Sequence, residues 1–477
     1  MTTRPTSALA LALLALSSLI TSLDFTIIYV ALPDIAHDVG FSEHSMQWVV
    51  SAYAIFFGGL LLLGGRAADL LGRRRMFVLG MVLFGAASLL GGLTTTPSPL
   101  IAARAIQGIG AAVLFPATLS LVNTMFEEGR QRIRALAVWA MAGAGGLSLG
   151  ALLGGVLTTA FGWQSVFLIN VPLVAAGAVA AFPLLHADGP RDRVHGFDVP
   201  GAFTGTVGIT LLVFTVAQGP ESGWLSTPVL GGGALAAVLM AAFLVIEARS
   251  PSPLMPLRLA RALGPVLAVI FVFGATMQNI VYFLTLFLQN VWRYSALVTG
   301  LVFLGLSIMI AVANFLAERL IVQIGIRTTL IGGLLLGAVG GALLAAGMVA
   351  DGSYRTIVAG ILVYGAGMGT VFPTMFAAAG SGIAEREQGS AGGMANTAMQ
   401  VGIGVGLAVL VGVANAASAG FDGEALRVAT ADGLRTTVLV AAALTLLGLL
   451  AAMMLPSRRT IDANNDSGTT PESVPAA

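Results

Sequence analysis

Leu23-Asp24-Phe25-Thr26-Ile27-Ile28-Tyr29-Val30-Ala31-Leu32-Pro33 closes the first apolar run of the chain, and its reading decides the fold. Asp24 is a carboxylate inside a segment that otherwise has the composition of a membrane-spanning helix. A charge at that depth costs about 3 kcal/mol or more. Acids so placed mark ion, proton or substrate pathways; the other reading is a neutral, internally hydrogen-bonded acid that only ties helices together.

The composition around it agrees with a membrane setting. Of 477 residues, 57% are hydrophobic and 9% charged, and mean hydropathy is +0.93, which fits a polytopic membrane protein and not a soluble one. A net charge of +1 gives no basis for a nucleic-acid partner. With no cysteine there is no disulfide and no thiolate metal site. All 23 basic residues are arginine; a phosphate-binding Walker loop requires lysine, so an ATP-driven pump within this chain is not expected. His37, His44, His186 and His195 are read as loop residues without metal-site spacing, and neither a metal nor a cofactor is expected.

Working outward from Asp24, apolar runs long enough to cross a bilayer recur at 8–32, 46–64, 76–94, 98–122, 135–159, 164–185, 200–217, 228–247, 263–290, 297–321, 329–349, 355–379, 392–417 and 434–455. The first continues through Asp24 to Pro33 without a convincing cleavage site, so it reads as an uncleaved helix. With the N-terminus in the cytoplasm and sides alternating through fourteen crossings, eighteen arginines fall on the cytoplasmic side, among them Arg73 to Arg75 and Arg130, Arg132 and Arg134. Only Arg293, Arg355, Arg427 and Arg435 fall outside, and Arg104 lies within the membrane. That bias places both termini inside, in a plasma-membrane protein. Trp48, Trp163 and Trp292 fall at span ends, where aromatic belts form. The polar tail 456–477 reads as disordered.

The two halves repeat weakly. Leu63-Gly64-Gly65-Arg66-Ala67-Ala68-Asp69-Leu70-Leu71-Gly72-Arg73-Arg74 follows the second span; Leu316-Ala317-Glu318-Arg319-Leu320-Ile321-Val322-Gln323-Ile324-Gly325-Ile326-Arg327 follows the tenth. Gly108-Ile109-Gly110 before Phe115-Pro116 is echoed by Gly365-Ala366-Gly367 before Phe372-Pro373. Such a repeat implies two six-helix bundles related by an axis along the membrane normal. The divisions are then a first bundle over 8–185, a linker with two extra spans over 186–262, a second bundle over 263–455 and the tail. In the second copy Val322 replaces the acid and Ile361 stands where Arg104 would be, so the ionisable chemistry has stayed in the first half.

These stretches together resemble the major facilitator superfamily, in its fourteen-helix drug:proton antiporter branch. Gly65 to Arg75 is similar to the signature loop between the second and third helices, and Leu23 to Pro33 to the first-helix motif of that branch. Arg104-Ala105-Ile106-Gln107-Gly108-Ile109-Gly110 resembles a fourth-helix motif associated with proton transfer. Gly150-Ala151-Leu152-Leu153-Gly154-Gly155 resembles the antiporter motif, with Ala151 in place of its proline. Gly162-Trp163 through Asn170-Val171-Pro172 resembles the sixth-helix entry, with Gln164 and Ser165 replacing Arg and Trp; Asn396 to Gly402 also fits. The resemblance covers nearly all of 8–455. It implies an all-α integral membrane protein of the major-facilitator fold, with fourteen helices, that exports small hydrophobic drugs or antibiotics in exchange for protons by alternating access. A monomer in the lipid bilayer is expected. A proton-coupled symporter of a small metabolite is the nearest rival. A membrane-embedded enzyme is more remote, since no paired acids or nucleophile–base set lies within the spans.

Each motif also has a physical reading. Asp69 can accept hydrogen bonds from a neighbouring helix N-terminus, with Gly65 and Gly72 allowing close approach and a tight turn and Arg73 holding the loop cytoplasmic. This constellation reads as a state-dependent latch or, more plainly, as a positive-inside loop. Asp24 lies about 22 Å up a helix begun at Leu9, and Arg104 about 9 Å down one begun outside at Ser98; in a core about 30 Å thick the two sit at nearly one level. They are the candidate proton-coupling pair, each able to offset the other's desolvation if their helices adjoin; otherwise Arg104 snorkels outward. Gly143, Gly146, Gly150 and Gly154, with Gly155 beside them, form a small-residue packing face. Tyr29, Gln107, Gln278, Asn279, Phe283, Phe287, Asn396 and Gln400 are candidate cavity residues, their amides equally suited to hydrogen bonds between helices.

Overall fold

The computed structural model describes residues 5–127, 130–188, 198–251, 253–383, 387–416 and 423–455. The tail 456–477 and His195 lie outside the described residues. Among those described, every regular element is helical. The first half consists of α1 (Pro5–Val39), the short α2 (Glu43–Met46), α3 (Trp48–Leu71), α4 (Arg73–Leu93), α5 (Pro97–Met125), α6 (Arg130–Phe161), α7 (Gln164–Leu168) and α8 (Asn170–Leu184). Next come α9 (Val199–Ser222), α10 (Thr227–Arg249) and the short α11 (Leu257–Ala262). The second half has α12 (Gly264–Ala275), α13 (Met277–Leu286), α14 (Ala296–Ile324), α15 (Ile326–Gly347), α16 (Tyr354–Gly380), α17 (Gln388–Asn415) and α18 (Gly423–Met453). A π-turn over Phe287–Val291 continues α13.

Among the described residues, 12 helices are long and apolar enough to span a bilayer. Helices α3 and α6 stand where the second and fifth spans are expected and are 24 and 32 residues long, although their described apolar stretches, Trp48–Leu61 and Leu152–Phe161, are shorter. The first span does not stop at Pro33: α1 runs on to Val39 with that proline inside it, and His37 belongs to its last turn, not to a loop. His44 likewise falls within α2. A proline removes one backbone hydrogen bond, a loss that packed neighbouring helices tolerate.

The repeat is visible in the packing. Gly110 on α5 approaches the backbone at Gly80 and Phe84 of α4, and Gly367 on α16 meets Gly337 of α15 in the same way. Gly108 lies on the Tyr53 carbonyl of α3, while Gly365 lies on the Leu306 carbonyl of α14. The glycine face of α6 packs on α1: a side chain at Gly146 would meet the Leu19 carbonyl at 2.5 Å, and one at Gly154 the Ile27 carbonyl at 2.8 Å. Gly150 sits between Thr26 and the Leu23 carbonyl, and Gly155 faces Ala296 of α14 in the other half. Gly150→Val is therefore expected to cost about 1–3 kcal/mol as overpacking, read as a lowered melting temperature of the detergent-purified protein. An unchanged melting temperature would contradict this packing.

Two large apolar clusters and a small third one occupy the interior among the described residues. One lies within the first half, around Tyr53, Phe77, Phe84, Leu114 and Val122. The larger joins the halves, uniting Ile27 to Ile35 of α1 and Trp163 with Tyr282, Phe287, Val302 and Leu410. It runs through the second half, and the part that joins the two halves lies at the end remote from the arginine-rich loops. Gln289 strengthens that junction by donating to the Val30 carbonyl at 2.8 Å. Trp163 is buried here, not in an aromatic belt: its indole N–H donates to Asp38 at 3.1 Å. The ring is buried while its polar edge reaches the exposed Asp38 carboxylate, so the indole has both an apolar and a polar contact within the protein.

Helix α9 spans the seam between the halves. Thr206 donates to the Gly59 carbonyl of α3 at 2.8 Å, Phe214 packs on Trp48, and Val213 covers Gly404 of α17.

Candidate functional site

Asp24 and Arg104 are in direct contact. Both are 1% exposed, and the guanidinium donates from Nη1 to the carboxylate at 2.7 Å. Helix α1 and helix α5 cross at the level that the rise per residue indicates. Arg104 also donates to the Val49 carbonyl of α3 at 2.8 Å and to Gln107 Oε1 at 2.8 Å, and its guanidinium lies 4.6 Å from the centre of the Tyr53 ring. Asp24 accepts further bonds from Gln107 Nε2 at 3.2 Å and Asn170 Nδ2 at 2.9 Å. Gln107 is itself steadied by a bond to Ser88 at 2.9 Å. Buried charges are tolerable when paired and hydrogen-bonded, and here α1, α3, α4, α5 and α8 all contribute a partner.

Below this network lies a cavity of about 910 Å³ that reaches the arginine-rich end of the molecule. Its wall carries Phe25, Phe57, Phe115, Trp139, Phe372 and Phe376 with a few amides. The repeated pairs Phe115-Pro116 and Phe372-Pro373 both line it, one from each half. Aromatic packing separates cavity from ion pair: Phe25 stands 6.4 Å from Tyr53, centre to centre, and Tyr53 stands 5.7 Å from Phe57. The charged pair is thus one side-chain layer beyond the cavity floor.

Of the expected cavity residues, Gln278, Asn396 and Gln400 line it. Gln107 belongs instead to the ion-pair network. Asn279 is buried and donates to the carbonyls of Gly274, Ala275 and Ile403, tying α13 to α12 and α17. Tyr29, Phe283 and Phe287 are packed away from the cavity, Tyr29 edge-on to both Phe25 and Tyr282. Their burial follows from the closure of the larger apolar cluster around them.

At the arginine-rich end, Gly65, Arg66, Arg73 and Glu318 line the cavity mouth. The close approach expected at Gly65 occurs one residue earlier: Gly64 lies against the Ala112 carbonyl, while the nearest neighbour of a Gly65 side chain would be Pro116 at 3.6 Å. Gly72 does make the tight turn, at φ +107°. The acid at the helix N-terminus beyond it is Asp188, whose carboxylate accepts from the backbone N–H of Arg74 at 3.0 Å and of Arg75 at 3.2 Å. The Asp69 side chain lies outside the described residues.

Sequence reasoning left Asn170, Ser88, Tyr53 and Asp188 without a role. Asn170 carried the same signal as Asp24, a hydrogen-bonding side chain in an apolar run.

This geometry, two packed halves with a central cavity and a buried ion pair, is that of a membrane transport protein. The chain belongs to the Major Facilitator Superfamily, whose pattern it matches over residues 14–407 and 266–476. It is 37% identical to the puromycin resistance protein pur8 of Streptomyces alboniger, over 95% of this chain and 93% of that one. It is 39% identical to the cephamycin export protein CmcT of Amycolatopsis lactamdurans, over 88% and 87%, and 32% identical to the methylenomycin A resistance protein of Streptomyces coelicolor, over 85% of each. The fold is shared with the human organic anion transporter MFSD10, with a TM-score of 0.65 at 16% identity, over 94% of this chain and 100% of that one.

Proposed function

We propose that this protein exports small hydrophobic drugs or antibiotics from the cell in exchange for protons, by rocking its two halves about the central cavity. Residues 8–185 form one rocking bundle and 263–455 the other, with the linker 186–262 carrying the inserted pair, in fourteen crossings. The protein acts as a monomer in the plasma membrane, with both termini in the cytoplasm. The arginine bias makes the open end cytoplasmic, so the structure is the inward-facing form. Asp24 carries the coupling proton and Arg104 is its counter-ion. Gly65, Asp69, Gly72 and Arg73 make the latch that favours one form over the other. Relatives named for puromycin, cephamycin and methylenomycin A support an antibiotic as cargo.

The observation that carries this reading is the buried Asp24–Arg104 pair one layer beyond a large cavity. A carboxylate that exchanges a cationic partner for a proton gives the transporter two charge states. Screening the pair from the cavity by Phe25 and Tyr53 keeps that exchange from leaking.

The cavity also speaks to the cargo. It is mainly apolar and aromatic, with Gln278, Asn314, Asn396 and Gln400 for orientation, the make-up of a site that binds by apolar burial. Among its described lining residues are two arginines, Arg66 and Arg73, against one acid, Glu318. A dication entering there meets net positive charge and pays an uncompensated desolvation cost. Export therefore favours neutral or monocationic compounds. A resistance panel in a drug-sensitive strain tests this: protection against puromycin and neutral antibiotics is expected. Strong protection against dicationic antiseptics, with none against neutral drugs, would overturn it. Proton-gradient-driven uptake of a nutrient by the purified protein in liposomes, without drug export, would favour symport instead.

A further inference from the structure

The inserted pair of helices ends in a strap that reaches the substrate path. Helix α10 stops at Arg249, and the chain continues through Ser250-Pro251-Ser252-Pro253-Leu254-Met255-Pro256 before α11. Prolines have no backbone N–H, so within 253–256 only Leu254 and Met255 can donate. Both N–H groups go to one side chain: the Glu247 carboxylate accepts from Leu254 at 3.3 Å and from Met255 at 2.9 Å. Glu247 is itself buried, at 3% exposure. A buried carboxylate is costly unless hydrogen-bonded, so acid and strap fix each other.

The far end of the strap is held by packing and by a surface ion pair. Leu259 and Leu263 pack on Ala391 and Met394 of α17, and Arg258 makes two bonds to Glu387, at 2.8 and 3.0 Å. Held between α10 and α17, the strap places Pro253 and Leu254 in the cavity wall, at the same end as Arg66, Arg73 and Glu318. A hydrogen-bonded turn alone would need no side chain there.

We infer that Leu254 is a selectivity residue at the cytoplasmic mouth of the cavity, and that Glu247 is the positioning residue that sets it. The inserted helices thereby act as a bracket for one wall of the drug entrance. This inference rests on the export reading for its substrate class, while the geometry can be tested without it.

The chain has no cysteine, so Leu254→Cys gives a unique chemical probe in the full-length protein. In inside-out membrane vesicles, N-ethylmaleimide is expected to label it faster than the bulkier fluorescein maleimide. Adding Glu247→Ala should change the ratio of the two rates severalfold, with Glu247→Gln, which keeps one acceptor oxygen, in between. Labelling from neither side, or equal rate ratios with and without Glu247, would overturn the inference. Leu254→Trp leaves the acid intact and covers the case in which Glu247→Ala does not fold. It should raise KM for a bulky bisbenzimide dye about tenfold, the scale on which one side chain in an apolar pocket discriminates, with Vmax and the KM for ethidium unchanged. An equal change for both dyes, or a change in Vmax alone, would count against a selectivity role. If the parent transports neither dye, the export reading is decided by the resistance panel, and the labelling ratio still decides the position of Leu254.

Discussion

Asp24→Asn is expected to abolish proton-driven efflux while leaving substrate exchange across the membrane in place. The carboxylate accepts from Arg104, Gln107 and Asn170. An asparagine there has one acceptor oxygen and an amide group that turns a donor toward donors. It also cannot release a proton, so the step that draws on the gradient has no carrier. The substitution leaves the buried Arg104 guanidinium without its counter-charge, and breaking a buried pair costs about 3–5 kcal/mol. That cost falls on the form in which the pair is made, so the variant should also shift away from the inward-facing form. Protein level by blotting and melting temperature in detergent establish that the variant is folded. Liposomes with an imposed pH gradient then measure driven efflux, and counterflow without a gradient measures exchange. Full proton-driven efflux by well-expressed Asp24→Asn would remove Asp24 from the coupling mechanism.

The part of this site that was legible in the sequence is the part made of charges. Asp24 and Arg104 stand out because each interrupts an apolar run, and the constant rise of a helix turns sequence position into depth. Depth is what two helices must share to form an ion pair, and these two share it. The remaining partners of Arg104 leave no such trace. A backbone carbonyl, as at Val49, has no sequence signal, and a tyrosine such as Tyr53 in an apolar span reads as ordinary core. Face is harder to read than depth because lipid is as apolar as the protein interior, so little in the pattern says which side of a helix points inward. Tyr29, Phe283 and Phe287 show the consequence. They have the amphipathic or aromatic character of a cavity wall, yet they lie away from the cavity, packed within the larger apolar cluster. Gln278, Asn396 and Gln400, similar in kind, fall on the open side. Gly64 and Gly65 differ by one residue, hence by about a hundred degrees around the helix, and only the structure tells which of them lies against the backbone of α5. The fold itself was legible through the repeat, because paired motifs such as Phe115-Pro116 and Phe372-Pro373 must occupy equivalent places in two related bundles, and both reach the cavity.

Arg104→Ala should weaken efflux and change the pH profile of transport. Without the guanidinium, the Asp24 carboxylate keeps only the neutral amide donors of Gln107 and Asn170. Its charged form then has no cation beside it to offset the cost of burial, so the exchange of a cationic partner for a proton no longer has both of its states. Arg104→Lys is expected to restore part of the activity. An ammonium supplies the charge but not the planar fork. In the parent that fork bonds Asp24, Gln107 and the Val49 carbonyl at once while lying over the Tyr53 ring. Tyr53→Phe keeps a ring beneath the guanidinium, so it should leave the pH profile in place and serves as the control for packing. Rates of drug accumulation in inside-out vesicles, measured across a pH series at matched expression, separate these outcomes. An Arg104→Ala variant that is folded and shows the parent's pH profile would mean that the ion pair holds α1 and α5 together and takes no part in proton transfer.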